Sequence, residues 1–425
     1  MTDAARSVQR VYLVLTLLTT LAASFIWGVN TLFLLDAGLS NAEAFAANAF
    51  FSVGQVLFEI PTGVVADTRG RRFSFLLGAG TLLLSTLLYL YMWNVSAPFW
   101  GWAIASALLG LGFTFFSGAT EAWLVDALTA TGYTKDLESV FGRAQMVAGG
   151  AMLAGTVLGG VIAQVTHLGV PYIVRAAMLG ITLVVAWWFM HDIGFKPDRD
   201  ARPVDAVRTV VRGAVNGGLR NAPVRWLMLA APFSTGVGFY AFYAFQPYLL
   251  ELYGDPNAYS IAGLAAAIVA GAQILGGFAV PWIRRLFTRR THFIILAIAA
   301  SVGLLAVIGL TNSFVVALVV LTAWCIIAAI EEPMRRAFIN PLIPSEQRAT
   351  VLSFDSLMGS TGGVVIQPVL GRTADVFGYG TSYLAAAGIQ ALALPFALLA
   401  RRENAPSDPI RPDVPEEVVA EAPAA

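Results

Sequence analysis

Residues 63–72 read Gly-Val-Val-Ala-Asp-Thr-Arg-Gly-Arg-Arg and stand between two long apolar segments. Four of these ten residues are charged, namely Asp67, Arg69, Arg71 and Arg72. A short charged loop between apolar segments indicates a chain that leaves a membrane and enters it again. The composition agrees, because 57% of the 425 residues are hydrophobic, only 12% are charged and the mean hydropathy is +0.72. Soluble domains carry about 25% charged residues.

The apolar segments are long enough to cross a bilayer, since a hydrocarbon core of about 30 Å needs about 20 helical residues. Twelve such stretches can be read from the sequence. They lie near residues 11–36, 43–66, 73–93, 99–127, 142–166, 170–190, 225–251, 259–282, 291–311, 313–336, 348–371 and 380–400. The first follows Arg6 and Arg10 as a signal peptide would, but it is too long for one. The sequence therefore predicts an all-α integral membrane protein with 12 transmembrane helices.

The basic residues predict the orientation of these helices. All but two of the 26 Lys and Arg residues fall on the side of the membrane that would hold the N-terminus, the exceptions being Arg175 and Arg372. This bias predicts a multi-pass protein with both termini in the cytoplasm. The excess of Arg over Lys and the short loops fit a bacterial inner membrane, which is a plasma membrane.

An internal repeat divides the chain. Residues 277–285 read Gly-Phe-Ala-Val-Pro-Trp-Ile-Arg-Arg and repeat the opening pattern, with Pro281 where Asp67 stands. The sequence thus predicts two pseudo-symmetric six-helix halves, 1–190 and 224–400, joined by a cytoplasmic linker, 191–223. Arg and Val residues near 207–212 predict a short amphipathic helix in this linker. Residues 401–425 are rich in Pro, Ala and Glu and predict a disordered cytoplasmic tail.

The opening loop also carries a family pattern. Gly63, Asp67, Gly70, Arg71 and Arg72 match G-x-x-x-D-x-x-G-R-[KR], the signature between the second and third helices of the major facilitator superfamily. The sequence resembles this family over about residues 10–400. The resemblance implies that two halves rock around a central cavity lined mainly by the first, fourth, seventh and tenth helices, so that access alternates between the two sides.

The resemblance also implies a conformational latch. In the family the aspartate faces the start of the eleventh helix, and the arginine pairs with an acid at the inner end of the fourth helix, here Asp126. Gly63 and Gly70 would allow a tight turn and close helix contact, while Asp67 accepts and Arg71 donates hydrogen bonds. We predict that these five residues form the latch. The alternative is that the arginines only anchor the topology.

Acidic residues within the predicted helices are candidates for proton coupling, because an ionised carboxylate near a helix centre costs about 2.5–3.5 kcal/mol. Such a residue is retained where it has a partner or a function. Glu121, Glu59 and Asp355 are the candidates. The alternative for Glu121 is an ion pair with Arg143.

Two further acids, Glu331 and Glu332, stand just before Pro333 in the tenth predicted helix. Arg335 and Arg336 follow one helical turn later. The sequence therefore predicts ion pairs between these acids and these arginines.

Polar and aromatic residues of the helices that should face the cavity are candidates for substrate contact. Trp27 and Asn30 are three residues apart and would share one face of the first helix. An aromatic cavity with few charges suits a bulky amphipathic compound, including a cation. The alternative is that the aromatic residues only fill the helix packing. The full candidate set is Trp27, Asn30, Phe239, Tyr240, Tyr243, Gln246, Gln273 and Trp324.

These features favour a secondary active transporter that is proton-coupled and exports a small, drug-like amphipathic compound as an antiporter. The alternative is a proton symporter that imports a small metabolite. Two departures weaken the exporter interpretation: Ser106 stands where exporters of the family carry an arginine, and Thr156 stands where they carry a proline. Gly155, Gly159 and Gly160 still predict close helix packing. A non-transporting sensor and a membrane enzyme have less support, since no catalytic constellation stands out.

No cofactor or metal is expected, because the single cysteine and the three scattered histidines show no metal-ligand spacing. No phosphate-binding glycine-rich loop is found, which argues against ATP-driven pumping. The net charge of +0 gives no basic field for nucleic acid. The expected partners are a small-molecule substrate, protons and membrane lipid, and the protein is expected to be a monomer.

Overall fold

The computed structural model describes residues 3–116, 118–133, 137–197, 207–208 and 212–410. These residues form α-helices connected by short loops, with no β-strand among them. The helices are α1 (Asp3–Trp27), α2 (Asn30–Asp36), α3 (Asn41–Arg69), α4 (Arg71–Asn94), α5 (Phe99–Thr114), α6 (Ala119–Ala130), α7 (Leu137–Val165), α8 (Gly169–Phe189), α9 (Ala222–Tyr253), α10 (Tyr259–Ile283), α11 (Arg290–Leu310), α12 (Phe314–Ile339), α13 (Ser345–Ala391) and α14 (Ala393–Arg402).

Eleven helical segments of the described chain are long and apolar enough to span a membrane. The longest, Thr350–Arg402, contains 53 residues and includes Gly378, whose φ of 82° and ψ of 165° are not helical. Gly378 therefore separates two membrane helices, which brings the number of spanning helices in the described residues to twelve. The fourth span consists of α5 and α6 together. The predicted all-α membrane fold with twelve spanning helices is confirmed.

The first predicted span is broken near one end. α1 ends at Trp27, and α2 begins at Asn30 after a two-residue turn at Gly28 and Val29. Gly28 lies against Gly263 of α10, and a Cβ atom on Gly28 would stand 3.0 Å from the Gly263 Cα. The spacing of Trp27 and Asn30 predicted that they share one face of a continuous helix. This prediction is wrong, because the break places them in two different helices.

The N-terminal half comprises α1–α8 and the C-terminal half comprises α9–α14. Between the halves, α3 packs along α13 and α7 packs along α10. The glycines of α7 permit this approach, since a Cβ atom on Gly160 would lie 2.8 Å from the Gly263 Cα. A Cβ atom on Gly159 would lie 2.0 Å from the Phe25 carbonyl oxygen of α1. The close helix packing predicted from these glycines is confirmed.

One contact is repeated in both halves and reflects their common plan. Asp192 follows α8, and its Oδ1 accepts a hydrogen bond from the backbone N–H of Arg72, the second residue of α4, at 2.9 Å. Asp408 follows α14, and its Oδ1 accepts a hydrogen bond from the N–H of Thr291, the second residue of α11, at 2.8 Å. Each half thus caps its third spanning helix with an aspartate placed after its last helix.

The chain beyond α14 continues this contact. Arg290 N–H donates to the Asp408 carbonyl at 2.9 Å, and Ile410 N–H donates to the Thr288 carbonyl at 2.9 Å. Residues 403–410 are therefore held against the loop before α11, whereas the sequence indicated a disordered tail from residue 401. Residues 411–425 lie outside the described residues, and so do residues 209–211 of the amphipathic helix predicted near 207–212.

The two aspartate caps differ in burial, so their loss should have different effects. Asp408 is 1% exposed, and its Oδ2 also accepts from the Thr291 hydroxyl at 2.9 Å, whereas Asp192 is exposed. We expect Asp408→Asn to lower the free energy of unfolding by about 1–3 kcal/mol. Asp192→Asn should cost less than about 1 kcal/mol. Thermal unfolding of the purified variants in detergent measures both changes, and equal losses would contradict the difference expected from burial.

Candidate functional site

The residues of the predicted latch meet at the end of the bundle where α1 begins and α14 ends, which we call the predicted cytoplasmic end. Arg71 Nη1 lies 2.5 Å from Asp67 Oδ1, and Arg71 Nε lies 3.9 Å from Asp126 Oδ2. Gly70 has a φ of 112°, and a Cβ atom there would stand 2.3 Å from Asp192 Oδ2. The arginine thus joins α3, α4 and α6, and the turn requires glycine.

Two expectations for the latch differ from this picture. A Cβ atom on Gly63 would meet no atom within 4 Å, so this glycine mediates no close helix contact. The side chains of residues 345–347, at the start of α13, lie outside the described residues. The contact between Asp67 and this helix, implied by the family resemblance, therefore stays a prediction.

A carboxylate joins the two halves at the opposite end of the bundle, which we call the predicted outer end. Asp375 of α13 accepts hydrogen bonds from the N–H groups of Asn41 and Ala42, both at 2.9 Å. These are the first two residues of α3, so the carboxylate caps the N-terminus of a helix in the other half. The Tyr379 hydroxyl donates to Asn41 Oδ1 beside it. We call this contact the outer gate.

Gln246 of α9 forms a second connection between the halves. Its Oε1 accepts from the Thr31 N–H at 2.9 Å, and its Nε2 donates to the Trp27 carbonyl at 2.7 Å. The side chain is completely buried. It therefore pairs with backbone groups left free by the break between α1 and α2. The structure places Gln246 in the interface between the halves, and Trp27 contributes a backbone carbonyl there.

A cavity of about 400 Å³ opens in the N-terminal half near the predicted cytoplasmic end. Glu121 of α6 is exposed within its lining. Among the described residues no cationic group lies within 4 Å of its carboxylate, so the ion pair with Arg143 that the sequence left open is not present. The lining residues are Tyr12, Thr16, Glu121, Phe141, Ala144, Gln145 and Ala148.

A second cavity, of about 260 Å³, lies in the C-terminal half and also reaches the predicted cytoplasmic end. Phe239 and Trp324, both predicted to face the substrate, are part of its lining, together with Glu331. The structure thus brings two of the predicted aromatic residues to one cavity with an acid.

The other intramembrane acids have different surroundings. Asp355 forms two hydrogen bonds with the guanidinium of Arg335, both at 2.6 Å, and is 7% exposed. Arg336 instead pairs with Glu332 at 2.5 Å. One of the ion pairs predicted within α12 is therefore present. Arg335 instead binds Asp355 of α13, so Glu331 lacks the predicted arginine partner. Glu59 is half-buried in α3.

Four of the substrate candidates lie elsewhere. Tyr240 is completely buried and donates to Ser382 Oγ at 2.5 Å, with its ring 4.9 Å from that of Phe45. The remaining three are Asn30, which is buried against Asn48 and Tyr172; Tyr243, which packs against the core of the C-terminal half; and Gln273, which is exposed on α10.

Arg175 of α8 is a buried cation that the sequence placed only near an outer loop. It is 1% exposed, and its Nε donates to Thr86 Oγ1 at 3.0 Å. No carboxylate of the described residues lies within 4 Å of it. One turn along α4 from Thr86, the Tyr89 hydroxyl bonds to Ser106 Oγ at 2.5 Å. The N-terminal half thus buries an arginine whose hydrogen-bond partners are Thr86 and the Ala22 carbonyl.

The sequence did not single out three of these features as functional: the outer gate, Arg175, and Glu331 without its arginine partner. Asp375 could have been noticed as an acid close to the end of an apolar stretch. Its helix-capping partner in the other half depends on tertiary packing.

Comparison with known proteins identifies the family. The sequence model of the Major Facilitator Superfamily matches residues 12–365. The chain belongs to the major facilitator superfamily. It is thus a multi-pass membrane protein and a transporter of the secondary type. An uncharacterized MFS-type transporter of Methanocaldococcus jannaschii is 20% identical over 195 residues, which cover 46% of this chain and 48% of that protein. The chain therefore aligns with about half the length of this relative.

Solved structures share the fold at low sequence identity. A mutant of the nucleoside transporter NupG superposes with a TM-score of 0.77 at 12% identity, over 92% of this chain and 99% of that one. A bacterial homolog of the human lysosomal transporter Spinster, inward-facing and unoccupied, gives 0.69 at 16% identity, over 95% and 98%. The D-xylose-proton symporter gives 0.65 at 15% identity, over 93% and 97%. These likenesses establish the superfamily fold of the transporter.

The outer gate should favour the conformation in which the predicted outer end is closed. We expect Asp375→Ala to remove about 1 kcal/mol of helix-terminus stabilisation from the closed conformation. The equilibrium should then shift about fivefold toward the conformation that is open at the predicted outer end. Spin labels at cysteines replacing Asn94 and Asn312, in a Cys325→Ser background, would report a larger population of long distances at the outer end.

Glu43→Gln is the matched control for the gate. Glu43 carries the same charge at the N-terminus of α3, but its Oε2 bonds to Ser40 within the same half. The distance distribution should stay unchanged in this variant. If the two variants open the outer end equally, helix electrostatics and not the contact between halves is responsible.

The latch should act on transport more than on folding. Asp67 is half-exposed and Arg71 retains Asp126, so Asp67→Asn should leave the unfolding midpoint nearly unchanged. We expect the transport rate in proteoliposomes to fall about tenfold, in the usual range of conformational coupling. Arg69→Gln, an exposed charge of the same loop, should transport normally. Normal transport by Asp67→Asn would reduce the loop to a topology anchor.

Proposed function

We propose that this transporter is proton-coupled and moves a small amphipathic organic compound by alternating access, with export in exchange for protons as the favoured form. The observation that carries the proposal is the contrast between the two ends of the bundle. At the predicted outer end the halves are joined by Asp375 and Gln246. At the predicted cytoplasmic end each half carries a cavity with an acid, Glu121 or Glu331, that has no cationic partner among the described residues.

This contrast supports an inward-facing state, in which substrate reaches the centre from the cytoplasm. We further propose that the protein resides in a bacterial inner membrane with both termini in the cytoplasm, and that it transports its substrate without chemical change. Glu121 is our first candidate for the proton site. A carboxyl group that is exposed in a cavity in one state and shielded in another can bind and release a proton as access alternates.

Import of a small metabolite together with protons is the second candidate function. Ser106 is completely buried and bonded to Tyr89, so α5 offers no charge at the position where exporters of the family carry an arginine. Thr156 is likewise buried in α7 in place of the exporters' proline. These two departures favour import, and the direction of proton-driven transport separates the two functions.

The proposed function is tested with a panel of amphipathic cations, nucleosides and sugars. Uptake and efflux are measured in cells that overexpress the chain and in proteoliposomes, with and without a compound that collapses the proton gradient. The proposal requires at least one compound whose movement depends on the gradient. Transport that is indifferent to the gradient for every compound moved would refute proton coupling.

Glu121→Gln should abolish the dependence of transport on the pH gradient while leaving exchange of substrate across the membrane. A glutamine keeps the shape of the side chain but cannot carry a proton in exchange. Glu251→Gln, an exposed acid near the predicted outer end of α9, serves as the control and should remain gradient-dependent. Unchanged dependence in the Glu121 variant would remove this residue from the coupling mechanism.

A further inference from the structure

The cavity of the C-terminal half extends beyond the aromatic face that the sequence predicted. It reaches from α9 and α12 to α11 and to the part of α13 that follows Gly378. Its polar and aromatic lining includes Ser234, Phe239, Ser301, Trp324, Glu331 and Gln390. Carboxylate, amide and hydroxyl groups therefore share one small space with two aromatic rings.

The charges around this cavity are balanced except for one. Arg335 is bound by both oxygens of Asp355, and Arg336 is bound by Glu332. Glu331 has no cation within 4 Å and no hydrogen bond among the described residues. The other lining residues, contributed by α9, α11 and α13, are uncharged. The cavity therefore presents one unpaired carboxylate.

Gln390 adds an independent observation. Its side chain is only 4% exposed, and its Nε2 donates to Ser234 Oγ at 3.3 Å. Its Oε1 is buried and has no hydrogen-bond partner. Buried acceptors in folded proteins are nearly always paired, so an orphaned one in a cavity lining indicates a missing donor. The cavity is thus lined by a carboxylate without a cation and by a residue whose buried amide oxygen lacks a donor.

We propose that this cavity binds the protonated amino group of an organic substrate. The ammonium would donate hydrogen bonds to Glu331 and to Gln390 Oε1, and its apolar body would lie against Phe239 and Trp324, whose ring faces attract cations. A divalent metal ion fits less well, because such ions prefer several carboxylate ligands and only one is unpaired here. The inference rests on the proposed transport of amphipathic compounds and specifies their class as amines.

The test uses two pairs of probes that differ only in the polar group: 2-phenylethylamine with 2-phenylethanol, and hexylamine with hexanol. Binding to the purified, full-length protein in detergent is measured by calorimetry at a pH at which the amines are charged. We expect each amine to bind about tenfold tighter than its alcohol, as for a charge-assisted hydrogen bond. Glu331→Gln should abolish this preference, while Glu332→Gln, whose carboxylate faces Arg336, should retain it.

Equal binding of amine and alcohol by the unmodified protein would overturn the inference, and so would a preserved preference for amines in the Glu331 variant. A heat of binding for Na⁺ with none for either amine would overturn it as well. Circular dichroism and the unfolding midpoint confirm that both variants are folded. Different results would refute the amine site and the proposed function. Gradient-driven transport of uncharged compounds with no amine preference would refute only the amine site, whereas amine binding without gradient-dependent transport would refute only the coupling.

Discussion

Hydrocarbon offers no partner to an ionised side chain, so each charge among the membrane helices must find one within the protein or within a water-filled cavity. This constraint accounts for the placement of most acids in the structure. Asp355 is neutralised by an arginine, and Asp375 and Asp408 cap the N-termini of helices. Glu121 and Glu331 have neither kind of partner among the described residues, and both line cavities. The exceptions to pairing therefore mark the places where a proton or a cationic substrate can supply the missing charge.

The two halves share a backbone plan but distribute their charges differently. Each half caps its third spanning helix with an aspartate that follows its last helix, which is direct evidence of their common architecture. In the N-terminal half this cap adjoins the group of Asp67, Arg71 and Asp126 at a partly exposed surface. In the C-terminal half the cap is buried and fixed by additional backbone hydrogen bonds. The aspartate cap is thus exposed to solvent in one half and buried in the other.

The interface between the halves combines close backbone contacts with specific hydrogen bonds from Asp375 and Gln246. Gly160 and Gly263 let two helices approach without side chains between them, and such a surface can tilt without breaking specific bonds. The Asp375 contact is specific but lies where water can replace it, so its loss on opening costs little. The alternating access that we propose requires the outer end to open, and the buried hydrogen bonds of Gln246 must then be exchanged as well.

Much of this fold could be predicted from local sequence. Twelve apolar stretches, a charged loop at residues 63–72 and its decayed copy at 277–285 indicated the helices, the repeat and the family, because these signals depend only on neighbouring residues. The surroundings of each functional side chain could not be predicted in the same way. Arg335 lies one turn from Glu331 in sequence yet binds Asp355 of another helix, and Gln246 turned from a cavity candidate into a contact between halves. The sequence determined which residues enter the membrane, and tertiary packing alone decided which charges are neutralised, because a carboxylate binds the nearest donor in space.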